Sequence, residues 1–301
     1  MPETEADRRC GFIAVIGAPN AGKSTLVNTL VGAKVAIVNR KVQTTRTTLR
    51  GIAVVGASQL VFIDTPGIFA PRRRLDRAMV EAAWGGAGDA DQVLLVVDAA
   101  KGIDEDVERI LGKLQGGKSQ LLALNKIDRV KKERLLDLSA ELNARAPFAT
   151  TFMISALSGN GVADLKAYLA GVVAPGPWHY PEDEISDAPL RVMAAEITRE
   201  KMYDRLHEEL PYQAAVETTA WLEQKNGIRI EQTIFVERDS QKSIVLGKGG
   251  SMIKNLSTAA RKELSKVLER PVHLFLFVKV RENWGDDPER YSDLGLSFPK
   301  E

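Results

Sequence analysis

Five short runs of consecutive apolar residues dominate the first half of the chain: Phe12 to Ile16, Leu60 to Ile63, Val93 to Val97, Leu121 to Leu124 and Phe152 to Ile154. A strand that is apolar at every position must be covered on both faces, which only a sheet between two helix layers provides. Helical patterns fill the gaps: Lys23 to Leu30, Asp76 to Ala83, Asp104 to Leu114, Glu133 to Arg145 and Val162 to Leu169. The alternation predicts an α/β fold, a doubly wound and mostly parallel sheet with ligand sites at the carboxyl ends of its strands.

A composition break follows. Residues 174 to 190 hold Pro175, Pro177, Pro181 and Pro189 and an acidic cluster. Proline neither continues a helix nor donates to a sheet, so the stretch reads as an interdomain linker. Beyond it the order becomes helix (about Leu190 to Leu210), strand (Gln213 to Leu222), strand (Ile228 to Arg238), two helices (Ser240 to Leu246 and Ser251 to Leu268) and strand (Val272 to Val280). Asn226-Gly227 between the first two strands is a hairpin signal. The expected division is a first domain over 1–174, a linker over 175–189, an α+β domain over 190–283 and a tail over 284–301.

Gly17-Ala18-Pro19-Asn20-Ala21-Gly22-Lys23-Ser24, followed by Thr25, fits G-x-x-x-x-G-K-[ST] between a strand and a helix. The glycines let backbone N–H groups turn inward onto phosphate oxygens, and the helix N-terminus adds partial positive charge. Lys23 is positioned for the β- and γ-phosphates, and the Ser24 hydroxyl is a hard ligand for Mg²⁺. Asp64-Thr65-Pro66-Gly67 follows the next apolar run. The acid is expected to hold Mg²⁺ through water, and the Gly67 N–H to approach a γ-phosphate. Between them, Gln43-Thr44-Thr45-Arg46-Thr47 is expected to be a switch loop, with Thr45 favoured over Thr44 as a Mg²⁺ ligand.

Asn125-Lys126-Ile127-Asp128 closes the fourth apolar run and points to guanine. A carboxylate at Asp128 accepts from guanine N1–H and the exocyclic amine, two donors that adenine lacks at those positions. The Lys126 stem can cover the base. Ser155-Ala156-Leu157 ends the fifth run, where an N–H near Ala156 can donate to guanine O6.

In the second half, Gly247-Lys248-Gly249-Gly250 forms a G-x-x-G turn between two helical patterns. Such a turn admits an RNA backbone beside an apolar groove. Lys242, Lys248 and Lys254 supply charge, and from Lys225 to Glu282 there are 12 Lys+Arg against 6 Asp+Glu in a chain of net charge +1. That local excess is the expected footprint of an anionic partner. Cys10 is the only cysteine and no apolar run is long enough to span a membrane, so a cytoplasmic protein is expected.

The order GAPNAGKS, QTTRT, DTPG, NKID and SAL resembles the translation-factor-like GTPases. Joined to VLGKGGSMIK and RPVHLFLFVKV, it resembles the bacterial Era family: one GTPase domain and a type II KH domain. The resemblance covers Cys10 to about Leu296. It implies a GTP-hydrolysing switch that binds GTP and GDP with Mg²⁺, holds the 3′ end of 16S rRNA near the anti-Shine–Dalgarno sequence, and assists 30S assembly. It implies a monomer, with peripheral contact at the inner membrane in some members. Two alternatives stand beside this reading: an RNA chaperone whose hydrolysis is incidental, and a membrane-associated cell-cycle GTPase. Ile68 occupies the position where many GTPases carry a water-orienting glutamine, and an isoleucine cannot hold water. Asn20 is a candidate K⁺ ligand at the phosphate loop. The Arg72-Arg73-Arg74 run reads as a solvated loop.

Overall fold

The computed structural model describes residues 7–39, 45, 48–114, 119–206, 210, 214–282, 288, 291 and 296–299. The described residues divide into two compact units: those among 7–36, 45–187 and 296–299, and those among 37–39 and 188–291.

The first unit is built on a six-stranded sheet of β1 (Arg9–Ile16), β2 (Leu49–Val55), β3 (Ser58–Asp64), β4 (Gln92–Asp98), β5 (Ser119–Asn125) and β6 (Thr150–Met153), in the order β2-β3-β1-β4-β5-β6. Only β2 runs antiparallel to its neighbour. Its helices are α1 (Lys23–Val31), α2 (Arg74–Asp89), α3 (Glu105–Lys113), α4 (Lys132–Arg145) and α5 (Val162–Val172). Alternate residues of β1 feed opposite cores. Ile13 and Val15 pack with Leu26 and Leu30 of α1 and Leu165 and Leu169 of α5. Ala14 and Ile16 pack with Ala83 of α2 and Ile110 of α3. This two-sided burial is what the unbroken apolar runs require.

Strand β2 falls outside the runs expected from sequence. Its Gly51 interrupts the apolar pattern because a Cβ there would meet Val31 Cγ2 at 2.8 Å and Val27 Cγ1 at 3.0 Å; the strand is pressed against α1. The proline-rich stretch, expected to be a linker, is seated on this edge. Gln59, fully buried, donates through Nε2 to Tyr180 O (2.8 Å), and its Oε1 accepts from the His179 and Tyr180 amides (2.9 and 3.1 Å). Ile52 N–H donates to Ile185 O (2.9 Å), and Arg50 pairs with Asp187 (3.2 Å). Composition marks the stretch as non-helical; the buried Gln59 amide on β3 together with the β2 backbone and Arg50 holds it.

The second unit contains α6 (Leu190–Arg205), β7 (Ala215–Gln224), β8 (Gly227–Val236), α7 (Asp239–Leu246), α8 (Ser251–Val267) and β9 (Val272–Val280). Its sheet runs β7-β8-β9, with β7 and β8 antiparallel and β8 and β9 parallel. The expected hairpin forms one residue earlier than the Asn226-Gly227 signal: Lys225 and Asn226 make the β7–β8 turn, and Gly227, paired with Gln224, opens β8 at φ 133°. Ala194 and Ile197 of α6 and Ala260 and Leu264 of α8 pack on Ile228, Ile230, Val272 and Leu274.

Candidate nucleotide and RNA sites

The carboxyl edge of the first sheet brings the motifs together. In order across the sheet stand Asp64 at the end of β3, the glycine loop after β1, Asp98 at the end of β4, Asn125 at the end of β5 and Ser155 just past β6. The strand order switches sides at β1, with β3 and β2 laid down on one side and β4 to β6 on the other, which is where an open α/β sheet forms its ligand crevice.

The glycine loop needs its glycines. Gly17 has φ 154°, and a Cβ there would lie 2.3 Å from Val96 O. Gly22 has φ 101°, and a Cβ would strike Asn125 Nδ2 at 2.3 Å. A Cβ on Gly67 would meet Pro19 Cα at 2.9 Å, so the second motif approaches the loop closely only because it carries glycine there. Ile68 N–H donates to Gly17 O (3.1 Å), binding the two motifs edge to edge.

Lys23 is buried, and its Nζ donates to Gly17 O (3.1 Å) and Ala18 O (3.0 Å) at the loop. Burial pulls its ammonium down to about 8; Asp64 opposes that shift and Lys126 adds to it. The Ser24 hydroxyl donates to Asp64 Oδ2 (2.7 Å) and shares a hydrogen bond with Thr45 Oγ1 (2.9 Å). Burial pushes the Asp64 carboxyl up to about 6, against the Ser24 hydrogen bond and the Lys23 charge. Asp64 Oδ1 is buried without a hydrogen-bond partner. Four hard oxygens from three side chains in one cluster, one of them unsatisfied, fit an octahedral divalent cation such as Mg²⁺. Thr65 is structural: its hydroxyl donates to Val15 O (2.8 Å). Gln43, Thr44, Arg46 and Thr47 of the expected switch loop lie outside the described residues.

Asn125 joins the glycine loop to the loops after β5 and β6. Its Nδ2 donates to Ala21 O (2.8 Å), while Oδ1 accepts from the Lys126 amide (2.8 Å) and the Ala156 amide (2.9 Å). The Ala156 N–H, one of the donors expected near guanine O6, is thus engaged with Asn125. Lys126 sits in the left-handed region (φ 66°), and its Nζ donates to Asn20 O (2.6 Å) and Asp98 Oδ2 (2.6 Å). The one sequence signal for Asp98 is an acid closing the apolar run Val93 to Val97. Asp128 is well exposed, and a hydrogen bond from Ser155, chiefly, holds its carboxyl below the usual carboxylate range. It is therefore a ready acceptor at neutral pH. Leu157, two residues past Ser155, is 80% exposed. Ile68 is fully buried with Ala14 and Ile16, so its side chain is withdrawn from any attacking water.

In the second unit the G-x-x-G turn joins α7 to α8. Gly247 has φ 71°, and a Cβ on it would meet Met252 N at 2.8 Å. Gly249 (φ 61°) and Gly250 (φ 77°) are required by conformation alone, with open space around them. Lys248 and Lys254 are exposed and Lys242 is half-buried. Ile244 on α7 is 55% exposed close to them in sequence, an apolar surface next to a basic turn.

Residues 12–126 match the family described as 50S ribosome-binding GTPase, and residues 209–285 match the KH domain family. The GTPase Era of Bradyrhizobium sp. (strain BTAi1) is 63% identical over 298 residues, covering 98% of this chain and 97% of the relative. The chain belongs to the Era family of GTPases. The GTPase Era of Rhizobium meliloti (strain 1021) is likewise 63% identical, over 97% of this chain and 94% of its own. Two solved Era structures share the fold. One is Era in complex with MgGDPNP and nucleotides 1506–1542 of 16S ribosomal RNA (TM-score 0.91, 36% identity, 96% of this chain and 99% of that one). The other is a Tyr-to-Ala variant of Aquifex aeolicus Era bound to GDP·AlF4⁻ (TM-score 0.90, 36% identity, 95% and 99%). Among the described residues, no helix of this Era-family GTPase is long and apolar enough to cross a membrane.

The Lys23 environment carries a pH signature. In the free protein its proton is lost as pH rises through about 8, below the ordinary 10.5. A polyphosphate favours the charged form and raises that value. Nucleotide binding between about pH 8 and 10.5 should therefore take up a proton, and affinity should fall as pH rises through that window. Calorimetry in two buffers of different ionisation enthalpy should show uptake at about pH 9 and little at about pH 7.

Proposed function

We propose that this GTPase is a switch that holds the 3′ end of 16S rRNA on its second unit and assists small-subunit assembly, with the nucleotide state of the first unit setting RNA affinity. The observation that carries this is the pairing, in one chain, of a guanine-type crevice with a basic G-x-x-G turn, in the fold of an Era solved with both MgGDPNP and a 16S rRNA segment.

Residues Gly17 to Thr25 and Gly67 bind the phosphates, through loop amides and the α1 N-terminus. Lys23 neutralises the terminal phosphates. Ser24 and Thr45 would hold Mg²⁺ directly and Asp64 through water; the ion would draw charge from the phosphate oxygens during bond cleavage. Hydrolysis joins a water oxygen to the γ-phosphorus and breaks its bond to the bridging oxygen of GDP. With Ile68 in the core, water positioning falls to backbone amides, a cation or a bound partner. Residues 43–47 act as switch I and residues 64–67 as switch II. Asp128 reads the guanine edge, Lys126 covers the base, and the amide of Leu157, next after the engaged Ala156 amide, faces O6.

Asp128→Asn replaces an acceptor-only group by one that donates. GTP affinity should fall at least about a hundredfold, while xanthosine triphosphate, which offers an oxygen at that edge, should be retained. Equal GTP affinity in the two proteins would refute the base assignment. Asn20 is proposed to help hold K⁺ beside the phosphates; turnover should then be faster in KCl than in matched NaCl, and equal rates would exclude it. For the second unit, Lys248→Asp with Gly249→Asp should weaken a single-stranded 16S 3′-end fragment by about tenfold or more at low salt. Turnover measured without RNA should not change.

A further inference from the structure

Asp98 closes β4, the strand lying between the one that leads into the phosphate loop and the one that leads into the base loop. Register pairing with Asn125 fixes its backbone, and its carbonyl accepts from the Lys101 and Gly102 amides (both 3.0 Å). One carboxylate oxygen accepts from the Ala100 amide (3.0 Å); the other takes Lys126 Nζ at 2.6 Å. The same ammonium reaches Asn20 O at 2.6 Å. The side chains of this pair are only 24% and 10% exposed.

We infer that Asp98 is a positioning residue for guanine-nucleotide binding, holding the Lys126 ammonium on the Asn20 carbonyl so that base loop and phosphate loop are locked at one separation before nucleotide arrives. The inference rests on the proposed role of Lys126 at the base. The strand end acts as a post fixed by the sheet, independent of either loop. A lysine tethered only to a loop carbonyl would sample other rotamers, and each nucleotide would have to order it on binding. The carboxylate also offsets the repulsion between Lys126 and the buried Lys23, which a neutral hydrogen-bond acceptor would leave in place.

The experiment is a double-mutant cycle on the full chain, reading release of a fluorescent ribose-labelled GDP. Asp98→Asn and Lys126→Ala should each speed release by about tenfold, and the double variant should release no faster than Lys126→Ala alone. Should the Asp98→Asn chain not fold, Asp98→Glu displaces the charge by one methylene and supports the same cycle. Release unchanged by either Asp98 variant, or accelerated by the same factor with and without Lys126, overturns the inference while the base-site reading stands. Wild-type release from Lys126→Ala would instead sink that reading, and the inference with it.

Discussion

The buried side-chain amide of Asn125 is the interaction on which the first unit depends. With one donor and one oxygen it holds the phosphate loop at Ala21, its own loop at Lys126 and the loop after β6 at Ala156. Three connections that leave the sheet at different strands thereby behave as one rigid surface. An aspartate would keep the acceptor and lose the donor, and a serine would be too short to span the gap. Gly22 completes the arrangement, since any larger residue would occupy the space that the amide fills.

Around that rigid surface the electrostatics are deliberately unbalanced. Burial works against the charges of both Lys23 and Asp64, drawing one down to about 8 and the other up to about 6. Neither is satisfied by the other alone, as the unpartnered Asp64 Oδ1 records. Groups left in this condition favour ligands of opposite charge: a polyanion for the lysine and a cation for the carboxylate. The free protein's electrostatics thus support the proposed binding of a metal-bound polyphosphate at Lys23 and Asp64.

Much of this was legible in the amino-acid order. Four of the five continuous apolar runs mark buried strands, the fifth falling on the half-buried edge strand β6, and glycine, lysine, serine and aspartate at strand ends mark the crevice, because those residues are demanded by local conformation and chemistry. What escaped depends on tertiary packing. Strand β2 carries Arg50 and Gly51 where an apolar run would continue, and only the closeness of α1 explains the glycine. Asp98 carries no motif, and its role appears only when three neighbouring strands place its carboxylate against Lys126. The sequence shows that Ile68 cannot hold water; its burial in the core is a matter of the Ile68–Gly17 hydrogen bond that turns the chain inward.

The seating of the proline-rich stretch on β2 has a consequence for how the molecule behaves in a crowded solution. β2 is one of the two outermost strands, and an outermost strand offers unpaired backbone groups to any passing chain. Here the stretch pairs with it in a single antiparallel bridge, Gly51 with Ser186, and takes the Ile52 amide on Ile185. The segment that does so carries prolines at 175, 177, 181 and 189, which have no N–H to extend a ladder. At its β2 edge the first sheet thus ends in a border that discourages another strand from adding there, a safeguard against sheet-to-sheet aggregation on that side.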